Sequence, residues 1–444
     1  MSYLGVKMNL NVSEIINEYK EEAIKLACDL IKIPSENVAP DGHEKEAQLY
    51  LMDWFLKNGI SVDKFELLSV EGLESHEAYW PGRNYKDRPN VVAFIKGSWS
   101  GKSIIFSSHI DTVTRDPIPW VVSGPFSGEV IGDRLYGRGS YDMKAGLAAS
   151  AIILKIIKDL NIKLSGDIFV ESVVDEENAG SNGTLASRLK GYNPDVVIIP
   201  EPTNLTICPH PKGGQLFEIL FKGRAGVSYG GEDVINPLYN MAKIINKIEE
   251  YERKINKIEN PPKFYENDKK PRYVVLAKAK SGDLKLGGNV GIPEEAWLEM
   301  FDFLNQVIES DPSLKKNPPV IKPSSRFLYP AMTGSSHPIF ELISKKFIDI
   351  TGKEPVITGA SFACDSFIFN KYFNVPTVNF GLVGGNAHGK DEWFSINSFF
   401  DYIKINLAVI LEWCKKEYHL FLLFFRIFQD KKAYESNPIF FKGY

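Results

Sequence analysis

Cysteine is scarce in this 444-residue chain: Cys28, Cys208, Cys364 and Cys414 stand far apart with no paired spacing. That argues against a disulfide framework or a thiolate zinc knuckle and points to a reducing cytoplasm. An excess of either charge is also missing. Lys and Arg number 52 against 56 Asp and Glu, a formal charge of −4, so no polyanionic partner is indicated. No basic stretch interleaved with aromatics marks a nucleic-acid footprint. The start, Met-Ser-Tyr-Leu-Gly-Val-Lys, lacks the basic-then-apolar pattern of a secretory signal. The longest apolar run near the other end, Leu420 to Phe425, is far too short to cross a bilayer, so no membrane partner is expected.

What is present is a globular composition, 44% hydrophobic and 24% charged, in a chain long enough for two domains. A capping-box-like start at Asn11-Val-Ser-Glu14 opens a helix that Pro34 ends, and Asp41-Gly-His-Glu44 opens a second one running to about Lys57. Short apolar runs at Asn90–Ile95, 103–107, Asp167–Val174 and Asp195–Ile199 read as buried strands. Helical stretches at Met143–Leu160 and Leu185–Leu189 lie among them. Strands alternating with helices predict an α/β fold with a mostly parallel sheet covered on both faces. From residue 211 the pattern changes to a compact α+β unit. It has strands at 217–222, Tyr273–Lys280 and Trp297–Met300, helices at 238–254 and 303–308, and a proline-containing connector at 316–325. After His337 the α/β pattern resumes with a helix at 338–350, a strand at 375–380 and a helix from about Ser395 to Lys416. The simplest organisation is a catalytic domain in two parts, 1–210 and 331–418, interrupted by an inserted domain at 211–330. The remaining 419–444 form a tail for which no functional reading arises.

Seven side chains stand at the ends of predicted strands or in glycine-rich turns. His109 and Asp111 share one side of a strand end, a spacing that suits a metal-bound imidazole oriented by a carboxylate; taken alone, His-x-Asp reads as a polar turn. Asp142 follows Gly137-Arg-Gly139 and precedes a helix, where an aspartate either caps the helix or bridges two ions. Glu176 and Glu177 follow Asp175 at a strand exit. Such a run is either a solvated loop or a pair that divides metal binding and proton transfer between neighbours. Glu201 is held between Pro200 and Pro202, and His388 lies in the glycine-rich loop Gly381–Gly389. That loop lacks the Lys-Ser/Thr ending of a phosphate-binding loop. Imidazole and carboxylate are what a divalent ion such as zinc accepts, and loops after strand ends are where α/β sheets bind ligands.

The order of these motifs, above all Gly-Arg-Gly-Ser-Tyr-Asp-Met-Lys at 137–144 and Asp-Glu-Glu at 175–177, resembles the di-zinc amidohydrolases and exopeptidases. That family includes acetylornithine deacetylase, succinyl-diaminopimelate desuccinylase, aminoacylase and glutamate carboxypeptidase, and the resemblance spans about residues 12–415. It implies two divalent ions, zinc or alternatively cobalt. His109 and Glu201 would hold one, Glu177 and His388 the other, with Asp142 bridging, Glu176 as general base and later acid, and Asp111 orienting His109. Glu201, rather than Asp, is similar to the deacylase branch. The implied reaction is cleavage of a small N-acyl amino acid by metal-activated water; the alternatives are a dipeptidase or carboxypeptidase, or a catalytically impaired ligand-binding relative. The resemblance also implies a possible homodimer through the inserted domain. Two departures are visible. The stretch Gly223–Gly231 lacks the family's usual oxyanion histidine, and no arginine stands near Asn289–Phe303, leaving Arg272 and Arg326 as distant stand-ins for a substrate-carboxylate ligand.

Overall fold

The computed structural model describes residues 12–98, 101–115, 118–224, 235–257, 263–267, 274–280, 284–290, 294–334 and 336–415. Residues 225–231, Arg272 and the tail 419–444 lie outside the described residues.

The first helix, Val12–Lys32, buries Ala23, Leu26, Ala27, Leu30 and Ile31, the stripe that a 3.6-residue period places on one face. The second begins later than expected, at Lys45, and ends at Lys57. Asp41–Gly42 instead pairs antiparallel with Asn37–Val38. The Glu44 carboxylate is taken by Arg88, whose Nε and Nη2 donate to it at 2.8 and 2.6 Å.

The central sheet has six strands in the spatial order Thr377–Asn379, Val196–Ile199, Ile104–His109, Ile168–Val173, Asn90–Ile95 and Ser61–Phe65. The first four run parallel, and the last two join antiparallel. Every residue of Ile104–His109, Ile168–Val173 and Val196–Ile199 is buried, so both faces of the sheet are covered. The fold is therefore the expected α/β class with a mainly parallel sheet. Because these three central strands are parallel, the segments that leave them emerge at one edge. His109 ends its strand, Glu176 and Glu177 follow Val173, and Glu201 follows Ile199.

A small antiparallel sheet, in the order Gly384–Gly385, Trp393–Ser395, Arg134–Tyr136 and Glu129–Ile131, draws the His388 loop against the Gly137–Asp142 turn. Sequence reading missed it, because its strands are only two or three residues long.

A separate antiparallel sheet runs in the order Val274–Lys280, Leu284–Val290, Gly214–Phe221 and Val320–Leu328. Helices Pro237–Ile255 and Glu294–Ser310 accompany it, with an apolar cluster of its own that includes Phe217, Ile219, Ile244, Ile248 and Leu304. Two expectations are corrected here. Trp297–Met300 belongs to the helix Glu294–Ser310, since Met300, Leu304 and Ile308 recur at i, i+4 and all enter the cluster. A strand that the sequence reading left unassigned lies earlier, at Leu284–Val290, where Gly287 and Gly288 weaken the strand pattern. The expected connector 316–325 contains most of the strand Val320–Leu328, which accommodates Pro323 because it is an edge strand. Among the described residues, no helix is long and apolar enough to cross a membrane.

Candidate metal centre

The structure gathers His109, Asp142, Glu177, Glu201 and His388 into two groups of three that share Asp142. His109 Nδ1 lies 2.8 Å from the Asp111 carbonyl oxygen. With Nδ1–H donating there, Nε2 faces Asp142 Oδ1 at 3.2 Å and Glu201 Oε1 at 3.9 Å. On the other side, His388 Nε2 lies 3.1 Å from Asp142 Oδ2 and 2.9 Å from Glu177 Oε2. Asp142 thus turns one oxygen to each imidazole, the geometry of a carboxylate shared by two cation sites. The His388 side chain is 54% exposed while that of His109 is 1% exposed, so the centre opens to solvent on the His388 side.

The electrostatics describe a site short of positive charge. Burial, joined by the Asp142 and Glu177 charges, raises the Glu201 carboxyl well above its ordinary value. Glu176 is raised too, first by burial and then by Glu201 and Asp365, against the pull of His109. Burial by itself would lower His109, but Asp142, Glu176, Glu201 and Asp111 raise it well above its ordinary value. Glu177 is the chief cause of the upward shift at His388. Burial works against ionisation of Asp142, yet hydrogen bonds to both histidines hold it far below the carboxylate range. Crowded carboxylates of this kind require cations or protons among them. Two imidazoles and a set of carboxylates, all oxygen and nitrogen donors, match borderline divalent ions.

Glu176 stands outside both groups. Its backbone N–H donates to Asp111 Oδ1 at 3.2 Å, and that of Glu177 to Asp111 Oδ2 at 3.0 Å. Asp111 therefore meets the centre differently from the expectation. Its carboxylate is 3.8 Å from His109 Nδ1 and is occupied by the Glu176–Glu177 turn, while its main-chain carbonyl holds the ring.

Several supporting residues escaped sequence reasoning. Glu392 accepts the backbone N–H groups of Gly139, Tyr141 and Asp142 at 3.1, 2.9 and 3.0 Å, and Arg138 Nη1 donates to it at 2.7 Å. Lys144 is fully buried and donates to the carbonyls of Leu30 and Ile33 at 2.9 and 2.7 Å, closing the end of the first helix. Two glycines permit close approach at Glu201. A Cβ on Gly146 would lie 2.6 Å from the Pro200 side chain, and one on Gly381 would lie 2.0 Å from the Glu201 carbonyl oxygen. Arg326 is buried, donates to the Gly180 carbonyl at 3.2 Å and stacks on Phe367 with its guanidinium carbon 4.9 Å from the ring centre.

Residues 105–412 match the model of peptidase family M20/M25/M40. Along 435 residues, 90% of this chain and 97% of the relative, the sequence is 26% identical to N-formyl-4-amino-5-aminomethyl-2-methylpyrimidine deformylase of Bacillus subtilis. The fold is similar to that of human carnosine dipeptidase 1, with a TM-score of 0.69 at 15% identity over 91% of this chain and 98% of the other. It is also similar to a dinuclear metal-binding peptidase of the same family, the YXEP protein of Bacillus subtilis, with a TM-score of 0.55 at 17% identity over 89% and 99% of the two chains. A family match over most of the chain, on a fold that converges the motif residues at one sheet edge, has one meaning: the protein is a metallohydrolase of peptidase family M20/M25/M40.

Proposed function

We propose that the protein hydrolyses a linear amide, removing a small acyl group from an amine. His109 and Glu201 would hold one divalent ion and Glu177 and His388 the other, with Asp142 shared between the two groups; zinc suits the donor set and cobalt is the alternative. The observation that carries this reading is the sharing of Asp142 between the two three-residue groups, with Glu176 beside them and outside both. When bound, the ions polarise the substrate carbonyl and make water a better acid near neutral pH. Glu176 accepts a proton from the attacking water and returns it to the departing amine nitrogen. Asp111 keeps the Glu176–Glu177 turn in place through both backbone N–H groups. Glu392 keeps the Asp142 turn in place.

Two substrate classes meet this description: an N-formyl aminomethyl-pyrimidine and an N-acyl amino acid. The near full-length likeness to a pyrimidine deformylase supports the first. A homodimer through residues 211–330 belongs to the same reading, supported by the exposed Leu238, Tyr239 and Leu298 on the helices there. A reducing, cytoplasmic setting belongs to it too, in keeping with four free cysteines.

The test is a hydrolysis panel of N-formyl aminomethyl-pyrimidine, N-acetyl and N-succinyl amino acids, and dipeptides, with zinc or cobalt supplied. Turnover of the N-formyl compound above the others is expected. A preference for dipeptides would favour a peptidase, and no turnover at full metal occupancy would sink the enzyme reading.

A further inference from the structure

The turn that carries Glu176 and Glu177 leaves its strand through Asp175, a non-glycine residue with φ of 69°. A side chain in the left-handed region persists only where the surroundings over-determine it. Here the surroundings are the loop 80–88. The Tyr85 hydroxyl donates to Asp175 Oδ2 at 2.5 Å, and Arg83 Nε and Arg88 Nη2 each stand 3.6 Å from Asp175 Oδ1. The same loop grips the far end of the turn. Arg83 Nη2 donates to the Asn178 carbonyl at 2.6 Å. Asn182 exchanges hydrogen bonds with the Trp80 backbone at 2.9 and 2.7 Å, and its Nδ2 donates to the Tyr85 oxygen at 2.7 Å. The loop is itself anchored by the two bonds from Arg88 to Glu44.

We infer that Tyr85 is a positioning residue for Glu176, acting through Asp175. Its hydroxyl is saturated, one bond given and one received, and its side chain is buried away from solvent. It therefore holds no role in contacting substrate. Asp111 fixes the turn through the N–H groups of Glu176 and Glu177, and Tyr85 with Arg83 and Arg88 fixes it through Asp175, while the Asn37 amide donates to both carboxylates at 2.8 and 3.2 Å. These two anchors hold the backbone that carries the Glu176 carboxyl. The inference rests on the hydrolase reading for what Glu176 does, while the clamp on the turn can be measured without turnover.

The experiment is Tyr85→Phe in the metal-loaded full chain. Turnover on whichever panel substrate the parent cleaves should fall about 10- to 100-fold in kcat, the usual size of an outer positioning defect, with KM and metal stoichiometry unchanged. Amide exchange at Glu176, Glu177 and Asn178 should quicken. In a double-mutant cycle, Asp175→Asn combined with Tyr85→Phe should be no slower than the slower single variant, since both break one linkage. Unchanged kcat and unchanged exchange would overturn the inference. So would an effect cured by added metal, which would assign Tyr85 to support of the ligands. Should Tyr85→Phe unfold, Arg83→Lys, which gives up the bond to Asn178, is read in the same way. If the parent cleaves nothing on the panel, the hydrolase reading fails by itself, and the exchange measurement still decides the clamp.

Discussion

The Glu392 carboxylate accepts the backbone N–H of Asp142 at 3.0 Å, although the two residues stand 250 positions apart in the chain. The contact holds the backbone of the residue whose carboxylate both candidate ion groups share. Glu392→Gln puts an amide NH2 among N–H donors and breaks that arrangement. Metal affinity should fall by about 10- to 100-fold, the common cost of losing an outer partner of a ligand. Competition with a chelator measures it, and excess zinc should restore part of the turnover.

Glu176→Ala should abolish turnover while two metals stay bound, because Glu176 belongs to neither ligand group. Glu177→Ala and His388→Ala should each lose one metal of the two. Elemental analysis beside the hydrolysis assay reads both quantities. Metal loss in Glu176→Ala with retention in Glu177→Ala would exchange the roles of the two neighbours.

Chelation should stop turnover and lower the melting temperature, since the remaining protein must keep Asp142, Glu176, Glu177 and Glu201 crowded around two histidines. Linkage gives the scale: free metal at 100 times its Kd adds about 2.7 kcal/mol to the folded state per site. Thermal unfolding with and without chelator checks the direction, and titrating zinc or cobalt back should recover both stability and rate.

Lys144→Met removes the only charge that closes the end of the first helix among the contacts described for Leu30 and Ile33. Two carbonyls lose their donor in a buried setting, at a cost of about 1–3 kcal/mol each way a group is left unsatisfied. A lower midpoint in urea with an unchanged m-value is the expected result.

His337 caps the helix Pro338–Thr351 as a neutral acceptor, with Nδ1 receiving the Ile339 N–H at 3.4 Å. Burial first, and Lys102 second, hold its pKa below the ordinary histidine value. A lowered histidine is neutral when folded at a pH where the unfolded chain already takes up a proton. Its contribution is therefore present above about pH 6.5 and lost as pH falls through the lower folded value. The melting temperature of the parent should drop between pH 7.5 and pH 5, and His337→Asn should reduce that drop; an equal drop in both would remove His337 from the explanation.

The candidate ligands could be picked out because each sits where a strand ends or a glycine turn bends, and chemistry of one kind recurred at those places. His109 closes a strand, and Glu201 follows Val196–Ile199 directly. Glu392 was quoted in its motif yet its task was invisible, because its partners are backbone N–H groups that no residue type announces. Asp111 was found for a good reason, and the fold adds contacts that spacing does not show, since a two-residue spacing shows which side a carboxylate takes but not which donors reach it. The central strands were readable from their unbroken apolar runs. Trp297–Met300 was not, because four residues are too few to separate a period of two from one of 3.6, and the deciding Leu304 and Ile308 lie further on.

Pro323 gives the second sheet a finished side. Along Val320–Leu328 the exposed residues Lys322, Pro323 and Ser324 offer an incoming strand a charge and a missing donor, two features that discourage pairing at a rim. Addition of a further strand is thereby discouraged at this edge. The opposite edge of the sheet is Val274–Lys280, so among the described strands the proline marks one of the two edges and not the other.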